Sequence, residues 1–366
     1  MRERSPLPPM TESLAGLAEV LTWRGRISHT LWLQPYEAQL GRYLAELATK
    51  PGADPTWRSA ITMISRHQNY NIFRNPLISE QLILFNETGE VDSALLSKLF
   101  LACLVEVGDI EAPEIELWSP RGDRIISGPV ISSACSERNV IGGTSAVIDF
   151  NSPYVRDSEF GIKLDMLEER ESYEFRNKLS AALSFLNATS TNAFSFWNSA
   201  IDVLTIRKRN SGGRGLFSNT NARRPRNILI FDPNLDTIDH FRLAEGLLHE
   251  AIHSVLFTFE RTVGPFIAEE MNHSDRTAVS PWSGRNLSLI SYVHACVVWF
   301  GLYWLWTNAM SKNDHVEMHR VEATRIARGF ALRPFSVGLS HHIDALSPDI
   351  SDLLYYIEDT MVRVRV

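Results

Sequence analysis

The stretch LAEGLLHEAIHSVLFTF, residues 243–259, constrains the fold more than any other part of the chain. Apolar residues are too dense in it for a helix with one broad wet face, so a helix here has to be enclosed by other elements. Ionisable residues interrupt it only at Glu245, His249, Glu250 and His253. Three of these recur every four positions and therefore share one face. Upstream, NILIFDP (227–233) reads as a buried strand, PNLD as a turn, and Thr237 or Asp239 as the helix N-cap.

The pentapeptide His-Glu-Ala-Ile-His at 249–253 gives that face a chemistry. His249 and His253 can each aim an imidazole at one metal ion, with the Glu250 carboxylate beside them. Burying two histidines and two glutamates with no metal is costly, which favours a metal site over a pair of core histidines. The third ligand decides the reaction class. Leu256 and Phe259 stand where an extended HExxHxxGxxH motif needs Gly and His, which excludes the metzincin arrangement. Glu269 and Glu270 lie near the distance at which a gluzincin takes its glutamate, and His273 is a reserve. His294 is the better candidate, since it interrupts an apolar helix that follows SPWSGR (280–285). His315 and His319 are also four apart, but their segment is strongly charged and reads as a solvated helix face.

Composition limits the remaining classes. A chain of 366 residues, 44% hydrophobic and 22% charged, is ordinary for a globular protein. A net charge of −7 argues against a general nucleic-acid binder. Cys103, Cys135 and Cys296 have no metal-type spacing and cannot all pair, and the N-terminus has no apolar secretory core, so a cytoplasmic setting is expected. LSLISYVHACVVWFGLYWLW (287–306) approaches bilayer length but carries His294, and a buried core helix is expected rather than a membrane span. Helical periodicity dominates residues 10–110, in TESLAGLAEVLTW, PYEAQLGRYLAELATK, WRSAITMISRHQN and DSALLSKLFLACLVEV. EIELWSP, RIISGPVI and SAVIDF read as short strands, residues 164–187 as helix, and AIDVLTIRKR (200–209) as a strand. Residues 210–226 read as a Gly/Asn/Arg loop, and the basic group Arg207, Lys208, Arg209, Arg214, Arg223, Arg224 and Arg226 as a solvated surface, with an anion dock as the other reading. Helices are expected at 287–310 and near 314–331 and 349–364. The sum is an α+β fold, predominantly helical with a small sheet and no jelly-roll. Residues 1–110 form a helical region suited to substrate recognition, and 111–366 a metal-binding catalytic region.

A strand, LAEGLLHEAIH, then SPW-x-x-R, then a helix with Tyr-Val-His-Ala and Phe300, together resemble the HExxH-type peptide-modifying proteins of bacterial peptide gene clusters. The resemblance covers residues 220–306, and departs from the family pattern where Asn286-Leu287 replace a proline after Arg285. It implies a non-haem Fe(II) enzyme that uses 2-oxoglutarate and O2 to hydroxylate a side-chain Cβ of a peptide, or of a carrier-bound amino acid, in natural-product biosynthesis. In that reading His249, His253 and His294 bind the iron and leave three positions open. Arg285 grips the distal carboxylate of 2-oxoglutarate, Trp282 walls the pocket, and Glu250 either stands behind the ligands or is a weak extra ligand, without acting as the base. A surface arginine at a helix entry is the plainer account of Arg285.

The rival expectation is a zincin-type zinc metallopeptidase. There Glu250 is the general base, and Zn(II) is held by His249, His253 and one of Glu269, Glu270 or His294. NILIFDP or AIDVLTIRKR would then serve as the edge strand that aligns a peptide. A non-enzymatic peptide-binding role is the third reading.

Overall fold

The computed structural model describes residues 12–364 apart from 26–31, 67–70, 112, 115, 128–129, 134–142, 156–162, 210–216, 236, 269–275 and 313–314. Helices α1 (Glu12–Val20), α2 (Leu33–Thr49), α3 (Pro55–Arg66), α4 (Pro76–Thr88) and α5 (Ser93–Glu106) come first. Short strands β1 (Leu117–Trp118), β2 (Arg124–Ser127), β3 (Val130–Ser133), β4 (Val147–Asp149) and β5 (Leu164–Asp165) follow. Next come α6 (Glu169–Thr189), α7 (Thr191–Ala200), β6 (Val203–Arg209), β7 (Phe217–Asn221), β8 (Arg224–Phe231) and α8 (His240–Val263). The chain continues through β9 (Thr277–Val279), β10 (Asn286–Ser288), α9 (Leu289–Met310), α10 (Val316–Leu332), α11 (Phe335–Gly338) and α12 (Pro348–Arg363). Helix makes up 61% of the structure and the sheets are small and open, so the α+β class with helical excess holds and no closed barrel is present among the described residues.

Two compact units divide the chain, one of residues 33–183 and 197–258, the other of 1–32, 184–196 and 259–366. The helical region read as 1–110 is therefore shared between units. Helices α2 to α5 fall in the unit that holds the main sheet, where α4 packs on β8.

In the first unit the main sheet runs β4-β6-β8-β7, with β5 also on β6. Strands β4, β6 and β8 are parallel and β7 returns antiparallel to β8. Register sets Leu204 opposite Ile228, and Ile206 and Ser218 opposite Ile230, so these share a face. That face meets α8 through Ser218. Val203, Thr205 and Asn227 point the other way, lining a small cavity with Pro76 and Leu77 of α4. A parallel sheet covered on both faces explains why β8 reads as an unbroken apolar run.

A buried charge cluster ties the start of this sheet to α8. Asp202, with no exposed surface, accepts from Arg74 Nε at 2.8 Å on one oxygen and from Arg226 Nε on the other. Arg226 is buried and sits at φ 73°, a left-handed conformation that side chains other than glycine seldom adopt. In that conformation its N–H donates to Ser254 Oγ of α8 at 2.8 Å, and Ser254 Oγ donates to the Ala200 carbonyl at 3.2 Å. Glu37 completes the cluster, its carboxyl pushed up chiefly by burial and opposed by the Arg226 charge.

The second unit is built on α9. Buried residues occupy all sides of it, including Tyr292, Val293, His294, Val297, Phe300, Leu305 and Trp306. Among the described residues it is the one helix long and apolar enough to cross a membrane, and in the fold it is a core helix against α10 and α12. Trp23 Nε1 donates to the Gly301 carbonyl at 2.8 Å, while the Trp23 carbonyl accepts from Ser190 Oγ and Asn192 Nδ2.

Removing one partner of a buried ion pair strands the other charge. Asp202→Asn is expected to destabilise the first unit by about 3 kcal/mol or more, read from urea unfolding against the wild type.

Candidate metal centre

Helix α8 begins where the sequence places it. Asp239 caps it, its Oδ1 accepting from Arg242 N at 2.8 Å. From residue 243 to 258 the positions that are not buried are Glu245, Gly246, His249, His253 and Phe257. The helix is thus enclosed except along one stripe, and both motif histidines lie on it. Their Nε2 atoms face each other at 3.2 Å, with ring centroids 4.9 Å apart. The spacing is one that two nitrogens binding a single cation can adopt. With nitrogen–metal bonds of 2.0–2.1 Å the spacing corresponds to an N–metal–N angle of about 100°, between octahedral and tetrahedral values. The pair therefore fits a divalent transition metal and admits either iron or zinc. His253 also stacks on Phe257, with ring centroids 6.1 Å apart.

Glu250 is 5% exposed and turns toward the sheet. Its Oε1 accepts from Ser218 Oγ of β7 at 2.8 Å, and its backbone carbonyl accepts from Thr220 Oγ1 at 3.3 Å. This strand lies inside the segment read as a Gly/Asn/Arg loop. FSNTN lacks the apolar alternation of a core strand because its inward residues bond to α8 through hydroxyls. The available signals were Ser218 and Thr220 alternating with two asparagines, and Asn221, whose Oδ1 accepts from Arg223 N at 2.8 Å to make the tight turn into β8. Neither NILIFDP nor AIDVLTIRKR is an edge: β8 lies between β6 and β7, β6 pairs on both sides, and β7 ends the order.

The solvated reading of the basic group is corrected for Arg207 and Arg226, which are buried, while Lys208 and Arg223 keep exposed side chains. Arg207 pairs with Asp149, Lys208 with Glu171, Arg209 with Asp232, Arg223 with Glu87, Arg224 with Glu80 and Arg226 with Asp202. Arg214 lies outside the described residues. These cations hold the sheet to its surroundings, each against a carboxylate, and Arg207 and Arg226 are buried.

In the other unit His294 is 2% exposed, and its Nε2 lies 3.2 Å from Glu260 Oε2. Its ring also approaches Phe266. Glu269, Glu270 and His273 lie outside the described residues, and among the described residues no three His, Cys, Asp or Glu side chains are gathered as a metal cage. Arg285 sits exposed at the tip between β9 and β10, and its guanidinium makes no ion pair among the described residues. Trp282, read as a pocket wall, packs on helices of its own unit: stacked on Trp299, edge-on to Phe330, its Nε1 donating to the Ile326 carbonyl at 3.0 Å. It anchors the turn that carries Arg285.

His319 is not on a solvated face. It is fully buried, stacked on Trp306 and tilted against Phe185, and burial, with the charge of His315 as a smaller cause, holds its pKa below the ordinary histidine value. Charged neighbours in the sequence concealed a buried position. Cys103 and Cys296 are buried and form no disulfide among the described residues, and Cys135 lies outside them.

No protein-family model matches the chain, and no curated protein matches it either.

The Trp282 anchor depends on a glycine. A Cβ at Gly329 would lie 2.0 Å from Trp282 Nε1, so Gly329→Ala has to displace the indole. The expected loss is about 1–3 kcal/mol, as for other overpacked sites, with a shift in tryptophan emission as the check.

Proposed function

We propose that the protein is a non-haem Fe(II), 2-oxoglutarate-dependent oxygenase that hydroxylates a side-chain Cβ of a peptide or of a carrier-bound amino acid in natural-product biosynthesis. The observation that carries the reading is the 3.2 Å approach of the His249 and His253 Nε2 atoms on the accessible stripe of α8. The sequence resemblance over residues 220–306 selects iron and 2-oxoglutarate from the metals and co-substrates such a pair admits. When bound, iron with 2-oxoglutarate and O2 supplies the oxidant, and the balance is substrate C–H, 2-oxoglutarate and O2 giving C–OH, succinate and CO2.

The chain's own residues have the following tasks. His249 and His253 are two proposed metal ligands, and His294 is the proposed third. Glu260, 3.2 Å from His294 Nε2, orients that ring, as carboxylates do for metal-bound histidines. Arg285, exposed and without an ion pair among the described residues, is available for the distal carboxylate of 2-oxoglutarate, and Trp282 holds its turn. Glu250 is not needed to deprotonate a water, and its Oε1 is already taken by Ser218.

A zinc metallopeptidase is the second reading, favoured by one observation: Glu250, directly after His249, contacts an antiparallel strand at the edge of the sheet. Glu250→Gln separates the two. The oxygenase keeps partial activity, whereas a peptidase that loses its general base drops by about 100-fold or more.

The deciding experiment is anaerobic loading with ferrous iron followed by titration with 2-oxoglutarate. A visible charge-transfer band that saturates is expected, and is expected to vanish in His249→Ala and His253→Ala and to weaken in His294→Ala. Absence of the band with zinc tightly retained would replace this reading by the peptidase.

A further inference from the structure

We infer that Ser218 is a positioning residue whose hydroxyl withholds Glu250 from the metal and so keeps a coordination position open. The inference rests on the reading that His249 and His253 hold a metal ion, but on neither choice of metal.

Glu250 directly follows His249 and stands three residues before His253, and residues three apart are neighbours on a helix surface. A carboxylate at such a place is a ready ligand for iron or zinc, and a catalytic site that gained it would lose a position needed by water, keto acid or O2. Burial denies Glu250 a solvated alternative. What holds it off is the Ser218 hydroxyl on Oε1 at 2.8 Å. From the same strand, Thr220 Oγ1 reaches the Glu250 carbonyl at 3.3 Å, fixing the backbone from which the carboxylate swings. Two hydroxyls of β7, two residues apart, thus grip one residue of the metal motif by side chain and main chain. A hydrogen bond to a charged acceptor is among the stronger ones, so its loss frees the carboxylate rather than merely loosening it.

The test measures Co(II) binding to the full-length chain by visible spectroscopy and chelator competition, for wild type, Ser218→Ala, Ser218→Thr and the double variant Ser218→Ala/Glu250→Gln. Ser218→Ala is expected to bind Co(II) about tenfold more tightly, with weaker d–d bands as a ligand is added. Ser218→Thr restores the wild-type affinity and spectrum, and the added Glu250→Gln abolishes the gain. If Ser218→Ala fails to fold, Ser218→Cys, with a weak S–H donor, must show the same tightening. A merely structural serine would lower stability and leave affinity and spectrum unchanged, and that result overturns the inference while leaving the metal site standing. Failure of the wild type to bind Co(II) through His249 and His253 overturns the metal reading itself.

Discussion

A carboxylate with no access to water, Asp202, holds two arginines, and the placing of the motif helix follows from that arrangement. Neutralising a buried carboxylate with one guanidinium is costly in desolvation. Here a second arginine, Arg74, shares the cost and draws the segment before α4 to the start of the sheet. The other, Arg226, is forced into a left-handed turn, and the N–H thereby redirected seizes Ser254. Since Ser254 directly follows His253, the cluster fixes how α8 is rotated, and rotation decides which residues reach the accessible stripe. A helix turned by one residue, about 100°, would bury an imidazole and expose an alanine.

Much of this was readable from residues. The enclosed helix, its Asp239 cap, the four-residue recurrence at 245, 249 and 253, the buried strand before it and the core nature of α9 all follow from periodicity and capping. Elements whose contacts are made by polar groups were not readable. Strand β7 carries Ser and Thr inward, which in sequence looks like a loop. His319 hides under Trp306 in a segment whose charges advertise solvent. Helix α4 has buried residues on every side, Pro76 through Phe85, so no one-sided period marks it. The arginines of the basic group were visible, but their carboxylate partners lie up to 144 residues away, as in Arg224 with Glu80.

The site combines two kinds of fixation. His249 and His253 are held from behind by the buried side of their helix, and both are partly exposed. Glu250 is held at the carboxylate itself. A metal held by the pair, as proposed, would meet partly exposed imidazoles beside a carboxylate that the sheet keeps in place.

The unit built on α9 gathers residues 1–32, 184–196 and 259–366, pieces separated by most of the chain. Helix α1 packs on α12, so the first element of that unit meets its last. Contacts of such sequence separation form late, because the intervening chain has to be brought together first. Until residues 348–363 have been synthesised, α9 presents apolar surface on every side with part of its cover missing. During biosynthesis the chain thus carries, for the time it takes to add the last fifty residues or so, a segment that a membrane-insertion machinery or a chaperone would read as hydrophobic cargo.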